Sequence, residues 1–214
     1  MSMDRKLSKQ EEKRLEEFNI IKEDLISKGY EENFLTIGII KANVFAIIFM
    51  IPFWILFSYW FKVHNNVDKS LLSMSSGSFF LDNLLFLGLC LVLIVLHELT
   101  HGVTWAMFSK NGFKDISFGI SWKWITPYCT CKTPLKKSEY IVGALTPLLF
   151  TGLLPAILGV YLNSFILTIV GVFLIGGAAG DIMMVYKLLK YKAKSNDTLI
   201  YDHPTEVGSV IFER

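Results

Sequence analysis

The chain has 214 residues, of which 52% are hydrophobic and 14% aromatic, and its mean hydropathy is +0.46. That is more apolar than a soluble domain needs and places the chain among membrane proteins. The net charge of +2 is too small for a nucleic-acid-binding face, and the Lys residues flank apolar runs instead, so no nucleic-acid partner is expected.

Residues 4–28 carry Leu15, Phe18, Ile21 and Leu25 at helical spacing among charged residues and end at Gly29. The pattern predicts an amphipathic helix lying on the membrane surface or on the rest of the protein. Neither a short apolar h-region nor a small-residue cleavage site occurs in the first forty residues, so the first apolar segment is expected to stay in the mature protein. Four apolar stretches follow, at about 44–61, 83–108, 140–162 and 164–186. At 1.5 Å per residue each can cross a hydrocarbon core of about 30 Å, the first only marginally. Pro52, Pro147 and Pro155 interrupt them and predict kinks.

Between the second and third stretches, residues 113–136 alternate apolar and polar side chains from Ile116 to Trp124 and turn near Thr126-Pro127, which predicts a short cytoplasmic β-hairpin. It serves either as a structural plug or as an edge strand that pairs with an extended substrate. Residues 191–214, with Asp202-His203-Pro204, read as a polar cytoplasmic tail. Lys22, Lys28 and Lys41 precede the first stretch. Lys110, Lys114, Lys123, Lys132, Lys136 and Lys137 lie between the second and third, and Lys187, Lys190, Lys192 and Lys194 follow the fourth. The opposite loops carry only Lys62 and Lys69 as cations, so both termini are expected in the cytoplasm of a multi-pass cell-membrane protein. The expected organisation is a cytoplasmic helix in 1–30, a transmembrane core in 31–190 and a tail in 191–214. The fold class is thus an all-α polytopic membrane protein with a short hairpin.

Ionisable residues inside a span are expensive, about 2.5–3.5 kcal/mol for an Asp at a helix centre, and mark function. The interiors of the first and third stretches have none, the second has His97, Glu98 and His101, and the fourth has Asp181. His97 and His101, four residues apart, share one helix face and can present ring nitrogens to a single ion, with Glu98 beside the first. This His-Glu-x-x-His spacing predicts zinc, with Glu98 as general base for a zinc-bound water and peptide-bond hydrolysis as the reaction. A catalytic zinc takes a third protein ligand, and Asp181 is the first candidate. At 1.5 Å per residue His97, His101 and Asp181 lie about 20, 26 and 24 Å from the outer ends of their spans. The run Gly176-Gly177-Ala178-Ala179-Gly180 would let the helix approach closely or unwind next to Asp181. Glu139 and Glu206 remain alternatives as third ligand. His64 and His203 read as solvated loop residues, and Thr100, Thr104 and Thr146 as lining of a polar cleft. Cys90, Cys129 and Cys131 form no disulfide framework; the Cys129-x-Cys131 pair lacks partners at zinc-ligand spacing and reads as ordinary thiols.

His97-Glu98-x-x-His101 in a span, a hairpin after it, Gly143-Ala144-Leu145-Thr146-Pro147 in the next span and Gly180-Asp181 in the last together resemble the core of site-2 proteases, which cleave substrates within the membrane. The layout and Asp202-His203-Pro204 resemble, more closely, a family of small bacterial membrane proteins described as putative zincin peptidases. The resemblance implies that His97, His101 and Asp181 hold the metal and Glu98 is the acid-base residue. Asp181 lacks the Pro that site-2 proteases usually carry near the third ligand. The reading from sequence is a membrane-embedded zinc metalloprotease acting on membrane-associated proteins or peptides, in contact with the lipid bilayer and of unspecified oligomeric state. Its alternatives are a non-proteolytic zinc-binding membrane scaffold, a small transporter using the same ionisable cluster, or a prenyl-protein-type membrane zincin with a Glu as third ligand.

Overall fold

The structure, a computed structural model, describes residues 7–67, 78–122, 125–195 and 197–214; Lys69 and Lys123 of the charge pattern, and Trp124 of the hairpin, lie outside them. Helix α1 (Lys9–Ser27) begins with a reciprocal capping box in which the Ser8 hydroxyl accepts from Glu11 N–H and the Glu11 carboxylate accepts from Ser8 N–H. Strand β1 (Glu31–Thr36) leads into the long helix α2 (Ile39–His64), which continues through Pro52. Helix α3 (Phe79–Ala106) follows, then β2 (Ile116–Ser121), β3 (Thr126–Cys131) and the short β4 (Leu135–Lys136). The third apolar segment is α4 (Lys137–Pro147), a wider π-helical turn over Leu148–Leu153, and α5 (Leu154–Tyr161). The fourth is α6 (Phe165–Gly177) and α7 (Ala179–Lys190), separated at Ala178. Strands β5 (Thr198–Asp202) and β6 (Gly208–Glu213) complete the chain.

Four helical segments are therefore long and apolar enough to cross a membrane: Ile39–His64, Phe79–Ala106, Lys137–Tyr161 and Phe165–Lys190. The most apolar windows of the first two are only 0% and 6% buried, so Ile47, Ile51, Ile55, Leu84, Leu91 and Val95 form an outward apolar surface of the kind a bilayer covers. The segments pack through small residues. A Cβ added at Gly171 would meet the backbone of Ala156, and one at Gly159 the backbone of Thr168, so α5 and α6 touch at a distance only glycine permits.

The fold is mostly helical, yet it holds more strand than the sequence reading allowed. The stretch expected to be a polar tail forms β5 and β6, the centre of an antiparallel sheet ordered β1-β6-β5-β4. The physical reason is a period of two. Val210 and Phe212 face α1, where they pack with Phe18, Leu25 and Tyr201, while Ile211 and Ile200 face the helix ends at Trp105, Tyr140 and Leu188. Runs this short are too brief for a helix but fill a sheet buried on both faces. The α1 helix thus docks on the protein. The predicted hairpin is present as β2-β3, packed against α3, but Thr126 and Pro127, expected at its turn, open β3 and pair with Ser121 and Ile120, so the chain turns before them. Both sheets stand at the end of the bundle shared by the start of α2, the end of α3, the start of α4 and the end of α7, where Lys187 Nζ donates to Thr36 O at 2.6 Å.

Candidate metal centre

Helix periodicity places His97 and His101 on the buried face of α3, with 8% and 4% of their surface exposed. The rings are perpendicular, with centroids 5.0 Å apart. Asp181 enters because α6 ends at Gly177 and a new helix starts after Ala178, which puts it in the first turn of α7, where the helix dipole favours an anion. Its Oδ2 lies 3.3 Å from His97 Nε2 and its Oδ1 3.5 Å from His101 Nε2. One ligand atom from each of the three residues falls within 4.8 Å of the others. Glu139 instead caps α4, its carboxylate accepting from Lys136 N–H, and Glu206 is outside the cluster.

The donor set fits zinc. Two ligands at about 2.0–2.1 Å in tetrahedral geometry are about 3.3–3.4 Å apart, close to the observed N···O separations. The remote ring nitrogens decide the tautomers. His101 Nδ1 lies 2.9 Å from Gly143 O, an obligate acceptor, so Nδ1 carries the proton and the Nε2 lone pair is left for a metal. His97 Nδ1 lies 3.3 Å from Thr151 Oγ1. The Thr151 hydroxyl proton goes to Pro147 O at 2.8 Å, so its oxygen accepts from His97 Nδ1–H and Nε2 is again free. Thr151 reaches His97 from the π-helical turn after Pro147, a local widening often found at functional sites.

Below the two histidines is a stack of rings. Trp105 lies flat against His101 (centroids 4.9 Å, 13° between planes) and Tyr140 lies against Trp105 (5.3 Å, 25°). The close approach depends on Gly143, where an added Cβ would land on the Trp105 indole.

Glu98, half-buried, turns toward β3 and accepts from the Cys129 N–H. Two residues along the same strand, Cys131 N–H donates to Asp202 Oδ2 at 3.1 Å. These donors point away from β2, and Pro127 at the preceding alternate position has none. Pairing of this edge with a substrate strand would offer few free donors, which favours the plug role of the hairpin. Burial pushes the Cys129 thiol well up, so it stays protonated, and neither cysteine joins a metal-ligand cluster among the described residues.

A cavity of about 730 Å³ contains the site, walled by the start of α2, β3, α7 and the loop after β5, and roofed by the first turns of α1. Arg14 ties that roof down. It donates to His203 O at 2.9 Å and its guanidinium lies 4.7 Å over the Tyr128 ring. His203 is no free loop residue: its Nδ1 accepts from the N–H groups of Thr205 and Glu206 at 3.2 and 2.9 Å. His64 packs edge-on against Tyr161. Thr100, Thr104 and Thr146 do not line the cavity, because each hydroxyl returns to a carbonyl of its own helix, His97 O, Thr100 O and Val142 O.

A family model described as "Putative zincin peptidase" matches residues 90–195, from the middle of α3 to just past α7, about half of the chain and the whole metal cluster. The chain belongs to this family. Membership implies a zinc-dependent peptidase and agrees with the donor set. No curated protein and no solved structure matches the chain.

Proposed function

We propose that this zincin-family protein is a membrane-embedded metallopeptidase that binds one zinc through His97, His101 and Asp181 and hydrolyses peptide bonds of membrane-associated substrates close to the cytoplasmic face. The observation that carries the reading is the meeting of His97, His101 and Asp181 from two apolar segments, at N···O separations of 3.3 and 3.5 Å, with Glu98 alongside in one cavity. Bound zinc supplies a Lewis acid and lowers the pKa of water towards neutrality. The two imidazoles bind through Nε2 and are oriented by Gly143 O and Thr151 Oγ1. Glu98 takes a proton from the attacking water on its carboxylate and returns it to the leaving amine nitrogen. The Cys129 N–H holds that carboxylate over the cavity, and the α1 roof limits access of bulk water. The Lys residues at the sheet-bearing end support a cytoplasmic position for that end and both termini.

The test is a pair of variants. Glu98→Gln is expected to retain zinc and to lose cleavage of a co-expressed membrane substrate by about 10²–10⁴-fold. Asp181→Ala is expected to lose zinc from detergent-purified protein. Unchanged cleavage in the first or full zinc in the second would refute the assignment. Metal flux in proteoliposomes without product peptides would favour the transporter reading.

A further inference from the structure

We propose that Asp202, at the end of β5, is a positioning residue for the metal site: it anchors the ring stack on which His101 rests and the strand that holds Glu98. The inference rests on His97, His101 and Asp181 being the zinc ligands.

Asp202 lies beyond the four apolar segments and touches no ligand. Its Oδ1 accepts from the Tyr140 hydroxyl at 2.7 Å and its Oδ2 from Cys131 N–H at 3.1 Å. The Tyr140 hydroxyl also accepts from Ser209 Oγ at 2.9 Å, so its single proton is committed to Asp202 and the phenol is fixed on both sides. The Tyr140 ring is the base of the stack Tyr140, Trp105, His101, and the Tyr140 carbonyl accepts from Trp105 Nε1–H at 3.2 Å. One carboxylate oxygen therefore fixes a column ending on a metal ligand. The other oxygen fixes β3 at Cys131, one alternation from Cys129, whose N–H holds Glu98. A displacement of β5 would reach a ligand and the general base together. Burial raises the Asp202 carboxyl above its usual value, against the Tyr140 hydroxyl, Arg14, the Cys131 N–H and His101, which favour the carboxylate.

A purely structural Asp202 would change stability and leave the metal geometry as it is; a positioning Asp202 changes the metal site in folded protein. The experiment uses the full chain in detergent, with zinc affinity measured by chelator competition and Co²⁺ as a spectroscopic probe of ligand geometry. Asp202→Asn keeps one acceptor and replaces the other with a donor. Tyr140→Phe keeps the ring and removes its hydrogen bonds to Asp202 and Ser209. Each is expected to weaken zinc binding about tenfold, the lower end for groups that orient ligands, and to shift the Co²⁺ d–d bands. The double variant should lose less than the product of the single losses, because the two groups act in series. Wild-type zinc affinity and Co²⁺ spectrum in both variants, with only a lower unfolding temperature, would overturn the proposal while leaving the zinc assignment intact. Failure of the wild type to bind either metal would refute the zinc assignment and this inference with it. If Asp202→Asn does not fold, Tyr140→Phe decides alone.

Discussion

Gly143→Ala sets two known effects of opposite sign against each other beside His101. Replacing a helical glycine by alanine favours the helix by about 0.5–1 kcal/mol. Here the new methyl would land on the Trp105 indole, on its Nε1 and Cδ1 atoms. The indole has no room to yield. It is 4% exposed, lies between His101 and Tyr140, and is hydrogen-bonded through Nε1 to Tyr140 O. Overpacking of such a site costs about 1–3 kcal/mol, so overpacking wins and the variant is expected to be destabilised by about 1 kcal/mol. The overlap is relieved by parting α4 from α3, and the His101 Nδ1 contact to Gly143 O, now 2.9 Å, leaves hydrogen-bonding range after a shift of about 0.7 Å. Zinc affinity should then fall about 10–100-fold. Chelator competition and thermal unfolding of purified protein measure both quantities. The control is Gly180→Ala, also within a helix, where an added Cβ meets nothing within 4 Å, so stability should rise by about 0.5–1 kcal/mol and zinc affinity should not move. Gly143→Ala protein with the zinc affinity of Gly180→Ala would refute the reasoning.

Thr151→Val removes the acceptor of His97 Nδ1–H with little change in shape, and zinc affinity should fall about 10–100-fold while Thr151→Ser restores most of it. Arg14→Ala frees the loop after β5 from α1, so amide hydrogen exchange across residues 203–207 should rise and chelators should strip metal faster. Asp115 gives a pH dependence. Burial raises its carboxyl, but the Asn111 side chain and N–H, Thr133 and Lys132 outweigh this and hold it below the usual value. Its contribution to the hairpin base is therefore complete above the unfolded value of about 4 and is lost as pH falls through the lower folded value. Unfolding temperatures measured between pH 6 and pH 3 should fall less steeply in Asp115→Asn than in wild type.

The parts of this fold legible in sequence are those governed by hydropathy and by rare residues. The four apolar segments, their order and the gathering of His97, His101 and Asp181 follow from length, charge and the cost of ionisable groups in apolar helices. The glycine run before Asp181 pointed to a close approach or a local unwinding, and the helix does restart after Ala178. What escaped is what tertiary pairing alone decides. Ser209-Val210-Ile211-Phe212 is too short to announce its partners, and β1 and β5 reach it from opposite ends of the chain. Thr151 carries no signal within an apolar run, because a lone Thr there usually bonds its own helix, as Thr100, Thr104 and Thr146 do.

The two helix irregularities beside His97, His101 and Asp181 explain why an apolar bundle can hold such a cluster at all. A regular helix through 148–153 has its polar backbone groups consumed internally and offers a neighbour little but apolar side chains. The π-helical turn widens the backbone after Pro147, whose missing N–H leaves the Gly143 carbonyl for His101 Nδ1, and Thr151, which donates to Pro147 O, faces His97. At Ala178 the restart of the helix creates an N-terminus within the fourth apolar segment, and that positive end lies where the Asp181 carboxylate is needed. Each irregularity thus delivers one oxygen to the histidine pair, Thr151 to the rear of His97 and Asp181 to the front of both rings. Restoring a regular helix at either place would take Asp181 away from the histidine pair or Thr151 away from His97, while leaving hydropathy unchanged.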